Sequence, residues 1–319
     1  MQYFVGAYAT SPNVSSWDPD LETNYYQQLK ARPNIKGLEH PFVGKLHAHD
    51  DEWFLTNIDP NWQFLFTCVP GNMGALAKDP NFGIASDDEA GRGKALEFMQ
   101  KACNAVGQLN AHLGRQAVQA VEIQTAPNRS HASGSSAALK KSLDIMLQWD
   151  WQGAQLVIEH CDTLVEGQKP AKGFLSIKDE IAVVKAVNAE RAANIGMVVN
   201  WGRSVIEARS VGAANQHIEL LKSEGLLAGL MFSGVSDQNT EYGAWSDSHM
   251  PPAPNEKLMA GAVGSLMTEK EMISSLAASD AENLSIVGIK LGIRPRDMSL
   301  DDRVNHISDC LAALERYAK

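Results

Sequence analysis

Short apolar runs recur along this chain, and five of them end on a polar or ionisable residue. VEIQ stops at Glu122, LVIEH at Glu159, MVVNW at Asn200, LMFS at Ser233 and VGIKL at Lys290. Leu156-Val157-Ile158 is apolar at odd and even positions alike, the pattern of a strand buried on both faces. A carboxylate or ammonium at the C-terminal end of such a strand is costly unless partners or water meet it. In a barrel of parallel strands, that end is where active sites are built.

Eight strand-like runs are read: Tyr3–Ala9, Ile35–Phe42, Gln63–Val69, Val118–Gln124, Leu156–Cys161, Gly196–Trp201, Leu227–Ser233 and Ser285–Leu291. Amphipathic helical patterns lie between them. Asp87–His112 carries Leu96, Met99, Ala102, Cys103 and Val106 at helical spacing. Ser135–Leu147, Ile177–Ala193 and Leu300–Tyr317 repeat the stripe, the last behind a Ser299-x-x-Asp302 cap. Strand–helix alternation predicts a parallel sheet with right-handed crossovers. Eight units in 319 residues fit a single α/β (β/α)₈ TIM barrel over residues 1–319. The early turns hold no glycine-rich phosphate loop, so no nucleotide cofactor is expected. Two connections are long, 70–86 and 234–256, and loops of that length are commonly lids or binding loops.

Composition narrows the function classes. The chain is 44% hydrophobic and 21% charged, ordinary for a globular protein, and its net charge of −10 argues against a nucleic-acid partner. The start lacks a secretory pattern and no apolar run is long enough to span a membrane. The four cysteines are scattered, as in a cytoplasmic protein with reduced thiols.

Parity then decides which side chains enter the barrel. Glu122, Glu159, Asn200, Ser233 and Lys290 are sent inward, above core layers of Val157, Val198, Met231 and Gly288, and Glu39 joins them from the second strand. Two facing carboxylates can move a proton on a carbon beside a carbonyl. Lys290 can stabilise the resulting oxyanion, as can a bridging divalent cation. Each residue alone reads equally well as part of an internal ion-pair network; the set points to chemistry.

With these residues in view, the chain resembles the xylose isomerase-like barrels, which include sugar and sugar-phosphate isomerases and epimerases. The resemblance rests on Leu156-Val157-Ile158-Glu159-His160-Cys161, similar to the family's fifth strand, and on Gly37-Leu38-Glu39 in the second. It implies the fold, and a metal-binding, proton-transferring role for Glu159. The family's aspartate, histidine and second glutamate on strands six to eight correspond here to Asn200, Ser233 and Lys290. The usual cage for Mn²⁺ or a similar cation cannot form unchanged with that lysine. Either Asp247 and His249 join Glu159 as metal ligands, or this branch works without metal.

Other candidates have a bland reading beside the functional one. His47, in His47-Ala48-His49-Asp50-Asp51, reaches for a sugar hydroxyl or belongs to a helix start with acidic residues. His160 follows Glu159 and points away from the barrel, as a hydrogen-bonded core histidine. Trp201 is placed to stack on a sugar, Arg203 to grip an anionic group, and Arg294 to bind a phosphate after the eighth strand. The expected function is a sugar isomerase or epimerase acting on a small carbohydrate, acidic and phosphorylated sugars included. Glu159 and Glu122 transfer protons and Lys290 stabilises the oxyanion, while Glu39, His47, Asn200, Trp201, Arg203, Ser233 and Arg294 bind substrate. The alternatives are a carboxylate-based hydrolase or lyase, and a barrel that binds sugar without turnover. A homo-oligomer is compatible with this fold.

Overall fold

A computed structural model describes residues 1–318. Eight parallel strands close into a barrel in chain order. They are β1 (Tyr3–Val5), β2 (Ile35–Pro41), β3 (Gln63–Thr67), β4 (Val118–Ile123), β5 (Gln155–Glu159), β6 (Gly196–Asn200), β7 (Leu227–Phe232) and β8 (Ile286–Ile289). β1 closes on β8 with Phe4 opposite Gly288. All eight expected strands form, and each stops short of its expected end, because the ladder ends where the chain turns into the loops of the mouth. The largest difference is at β1. Gly6 donates to the Ile289 carbonyl at 2.8 Å, and the chain then enters a short helix, Ala7–Thr10, that carries Tyr8.

The alternation of each strand builds two cores. Phe4, Leu65, Ala120, Val157, Val198, Met231 and Ile286 fill the barrel. The opposite parity, Leu156 and Ile158 among it, packs outward against the helices. Gly288 has no room for a side chain: a Cβ there would lie 2.5 Å from the Phe4 carbonyl and 2.8 Å from Met231 Sδ. The expected helices form as Glu89–Leu113, Ser136–Met146, Ile177–Arg191 and Leu300–Tyr317. Side chains hold their first turns; Ser299 Oγ accepts from the Asp302 amide at 3.2 Å. The 70–86 connection is not a plain loop. A helix, Val69–Leu76, fills its start and brings Asn72 toward the barrel. The 234–256 segment is irregular and is pinned by paired Gly234 and Met250 backbone bonds at 2.8 and 3.0 Å. The four cysteines are buried and free, and among the described residues no helix is long and apolar enough to cross a membrane.

Outside the barrel, His160 donates from Nδ1 to Glu180 at 2.6 Å and from Nε2 to Glu207 at 3.1 Å. Using both nitrogens as donors requires the imidazolium. Burial opposes that charge, but Glu180 and Glu207 outweigh it and push the histidine up to about 10. The folded value is above the ordinary 6.5, so this pairing stabilises the fold fully below pH 6.5 and its contribution is lost as pH rises through about 10. Thermal melts from pH 7 to 10 should show the wild type losing stability, and His160→Gln should flatten that slope.

Candidate active site

Glu159, at the end of β5, is the hub of the barrel's upper end and is completely buried. Its Oε1 accepts from Lys290 Nζ and Asn200 Nδ2, both at 3.1 Å. Its Oε2 accepts from Gln124 Nε2 at 3.0 Å and meets Arg203 Nη1 at 2.7 Å. Four donors match the roughly four lone-pair positions of a carboxylate. Burial would raise this carboxyl, but the Arg203 and Lys290 charges and the Asn200 bond hold it well below the usual range. Asn200 also accepts from the Arg203 amide at 3.3 Å, starting the helix that carries Arg203.

Lys290 comes from the residue after β8 and lies between two carboxylates, with Nζ 2.5 Å from Glu39 Oε1 as well as 3.1 Å from Glu159. Its stem passes Gly6, where a Cβ would stand 3.0 Å from Lys290 Cγ and 2.7 Å from Glu39 Oε2. Glycine at that position is what lets β1 approach the pair. Arg203 continues the network, its Nε donating to Asp247 at 3.0 Å, and Lys172 reaches the same carboxylate at 2.9 Å.

Glu122 differs from its neighbours. An oxygen of Glu122, one of Glu39 and one of Glu159 lie within 4.8 Å of one another. Both oxygens of Glu122 are buried, and the side-chain hydrogen bond it makes is with the Glu39 carboxyl. Burial, followed by the Glu39 and Glu159 charges, pushes its carboxyl well above the usual range. Burial raises Glu39 too, by more than the adjacent Lys290 ammonium lowers it. Of the two, Glu122 holds its proton more firmly, and Glu39, against the Lys290 ammonium, ionises first. Glu39, Glu159 and Asp247 face Lys290, Arg203 and Lys172, so the set is neutral with Glu122 uncharged.

A cavity of about 130 Å³ opens beside this cluster, with Glu39 on its wall. Tyr8, Asn13, Trp17, Glu22, His47 and His49 are among its other lining residues. His47 Nδ1 accepts from the Asp50 amide at 3.1 Å, which leaves the proton on Nε2, 4.0 Å from Glu22. Burial lowers this imidazole to about 4, so it is neutral. Trp17 donates to Glu22 at 2.5 Å and stacks on the His49 ring, centroids 5.2 Å apart. Asp50 caps the following helix by accepting from the Trp53 amide, so the acidic helix start and the cavity-lining histidine coexist.

Several expected roles change. Trp201 points outward by parity and is completely buried in the layer between barrel and helices, so it cannot stack on a sugar; Trp17 supplies the aromatic wall instead. Arg203 is spent between Glu159 and Asp247 rather than offered to an anion. Arg294 packs over the Tyr242 ring, 5.6 Å from its centroid. Ser233 shares a 2.9 Å hydrogen bond with His249 Nδ1. Glu159, Asp247 and His249 do not surround one point, because the Arg203 guanidinium separates Glu159 from Asp247. Tyr8, Trp17, Glu22 and Gln124 were not anticipated. Gln124 shares the inward parity of Glu122 and was readable; the other three lie in or beyond the first strand–helix turn, which carries no pattern.

Two groups of ligand-type side chains lie close enough to share an ion: Glu39, Glu122 and Glu159, and His160, Glu207 and His217. In the second, His160 has no free lone pair, since both nitrogens donate. In the first, Glu159 is saturated by four donors and an ammonium stands between Glu39 and Glu159. These residues as arranged do not fit a divalent metal.

The sequence profile described as "Domain of unknown function (DUF4862)" matches residues 4–306. The chain belongs to that family. An uncharacterised protein of Salmonella typhimurium (strain LT2) is 32% identical over 319 residues, 99% of this chain and 98% of that one. Among solved structures, a xylose isomerase domain protein from Alicyclobacillus acidocaldarius is similar at a TM-score of 0.55 and 13% identity, covering 100% of this chain and 99% of that one. A sugar phosphate isomerase/epimerase from Parabacteroides distasonis is similar at 0.56 and 12%, over 100% and 95%. A D-allulose 3-epimerase from Methylomonas sp. is similar at 0.52 and 13%, over 99% and 96%. The fold is the xylose isomerase-like barrel.

Proposed function

We propose that this barrel isomerises or epimerises a small neutral sugar by moving a proton on the carbon beside its carbonyl. The observation that carries the reading is the pair of unlike buried carboxyls in hydrogen-bond contact, Glu122 the firmer holder of a proton and Glu39 set against the Lys290 ammonium. Glu39 takes the proton from carbon and the Lys290 ammonium stabilises the enediolate oxygen. Glu122 then returns a proton to the opposite face of that carbon for an epimer, or to the neighbouring carbon for an isomer, where the hydroxyl proton also passes from one oxygen to the other. Glu159 positions Lys290 and Arg203 and does not itself transfer protons, because all its lone pairs are engaged. The cavity supports a sugar as substrate, with an indole wall and polar groups of several kinds. No lysine or arginine is among its lining residues, which favours a neutral sugar over a phosphorylated one. Tyr8 borders the cavity and its ring lies 5.9 Å from Lys290 Nζ, so it stands next to both the cavity and the cluster.

The test is a panel of aldoses and ketoses, neutral and phosphorylated, followed by proton NMR and mass spectrometry. One neutral sugar is expected to convert to an isomer or epimer of unchanged mass. Loss of water or release of a smaller sugar would replace this reading with a lyase or hydrolase. Tight binding with no conversion would leave a binding protein.

A further inference from the structure

We infer that Lys290 and Arg203 are a built-in dication, occupying the seat in which a divalent ion would bridge the strand-end carboxylates; the catalytic consequence rests on the isomerase reading, the seat itself does not. Glu39 and Glu159 reach the same interior point from β2 and β5, and both are completely buried. Two like charges there need a cation between them. The ammonium of Lys290 contacts both, at 2.5 and 3.1 Å, while Arg203 neutralises the far side of Glu159 at 2.7 Å and Asp247 at 3.0 Å.

Packing is shaped to this lysine independently of the charges. Gly6 leaves the space its stem and Glu39 occupy, and Gly288, two residues before it on the same face of β8, admits Met231 beneath. Charge counting agrees. Three carboxylates already face three cations, so an added divalent ion would bring two uncompensated positive charges against two buried cations. The substrate oxyanion then meets an ammonium whose position is set by four strands, with no ion to be recruited from solution.

The test uses Mn²⁺ as the probe on the full chain. Wild-type protein loaded with excess Mn²⁺ and dialysed is expected to hold far less than one ion per chain by elemental mass spectrometry, and its melting temperature is expected to be unmoved by the ion. Lys290→Glu removes the ammonium and supplies a carboxylate. It should melt below the wild type alone and rise by roughly 4 °C in saturating Mn²⁺. If Lys290→Glu does not fold, Lys290→Met gives the same comparison with the stem volume kept. Near one ion per wild-type chain, an equal Mn²⁺ response in the wild type, or no response in either variant would overturn the inference. If chelated wild type turns over sugar only after Mn²⁺ is returned, this inference fails and the isomerase reading stands. If no sugar turns over while the ion measurements come out as expected, the isomerase reading fails and the seat stands.

Discussion

Glutamine in place of Glu122 is expected to slow turnover of the sugar by roughly 10²–10⁴-fold, with KM changed little. The protonated carboxyl and the glutamine amide have nearly the same shape, and both are neutral, so the fold should melt at the wild-type temperature or slightly above. The separation of effects is the informative part. A residue serving only to fill the barrel would lose stability and activity together, whereas an acid that gives up its proton loses activity alone. Glu122 shares a side-chain hydrogen bond with Glu39, and the glutamine amide can donate that bond in place of the protonated carboxyl. Steady-state kinetics with a thermal melt of the same preparation checks both halves.

Arg203→Met is expected to act in the opposite way, through stability first. The guanidinium is completely buried and joins Glu159 to Asp247. Removing one member of a buried ion pair typically costs about 3–5 kcal/mol, since the remaining charges are left uncompensated. For a chain of this length that is a fall of roughly 5–8 °C in melting temperature. The pH dependence identifies the cause. In the wild type the Glu159 carboxyl is held well below its ordinary 4.5, burial opposing and Arg203 and Lys290 prevailing. It therefore contributes stability above pH 4.5 that is lost on acidification. Without Arg203 the carboxyl rises and that contribution shrinks. The gap between variant and wild type should be widest above pH 4.5 and narrow as pH falls below it, and a gap constant with pH would point to lost packing instead.

The barrel was legible because its strands and helices each repeat a period: two-sided apolar runs for the parallel strands, and i, i+3, i+4 stripes for the helices that cover them. Parity alone placed Glu39, Glu122, Glu159, Asn200 and Lys290 at one interior site. Parity also explains the main miss nearest to them. Trp201 follows inward-facing Asn200, so parity turns it outward into the helix layer and away from any sugar. The roles of Glu159 and Arg203 were not readable, because they depend on which donors converge across the barrel from β4, β6 and β8. The cavity was hidden for a different reason. Trp17, Glu22 and Tyr8 come from the segment after β1, where a strand was read through to Ala9. The close approach at Gly6 and the short helix after it redirect the chain, and no periodic pattern announces either.

The most direct measurement is solvent exchange in D₂O. Any sugar that the panel shows to bind is incubated with the protein and followed by NMR for deuterium appearing on the carbon next to the carbonyl. Incorporation at that one carbon is expected from the wild type, with Glu122→Gln and Glu39→Gln both losing it while still binding the sugar. Binding with no deuterium entering any carbon, or incorporation undiminished in both variants, would contradict it.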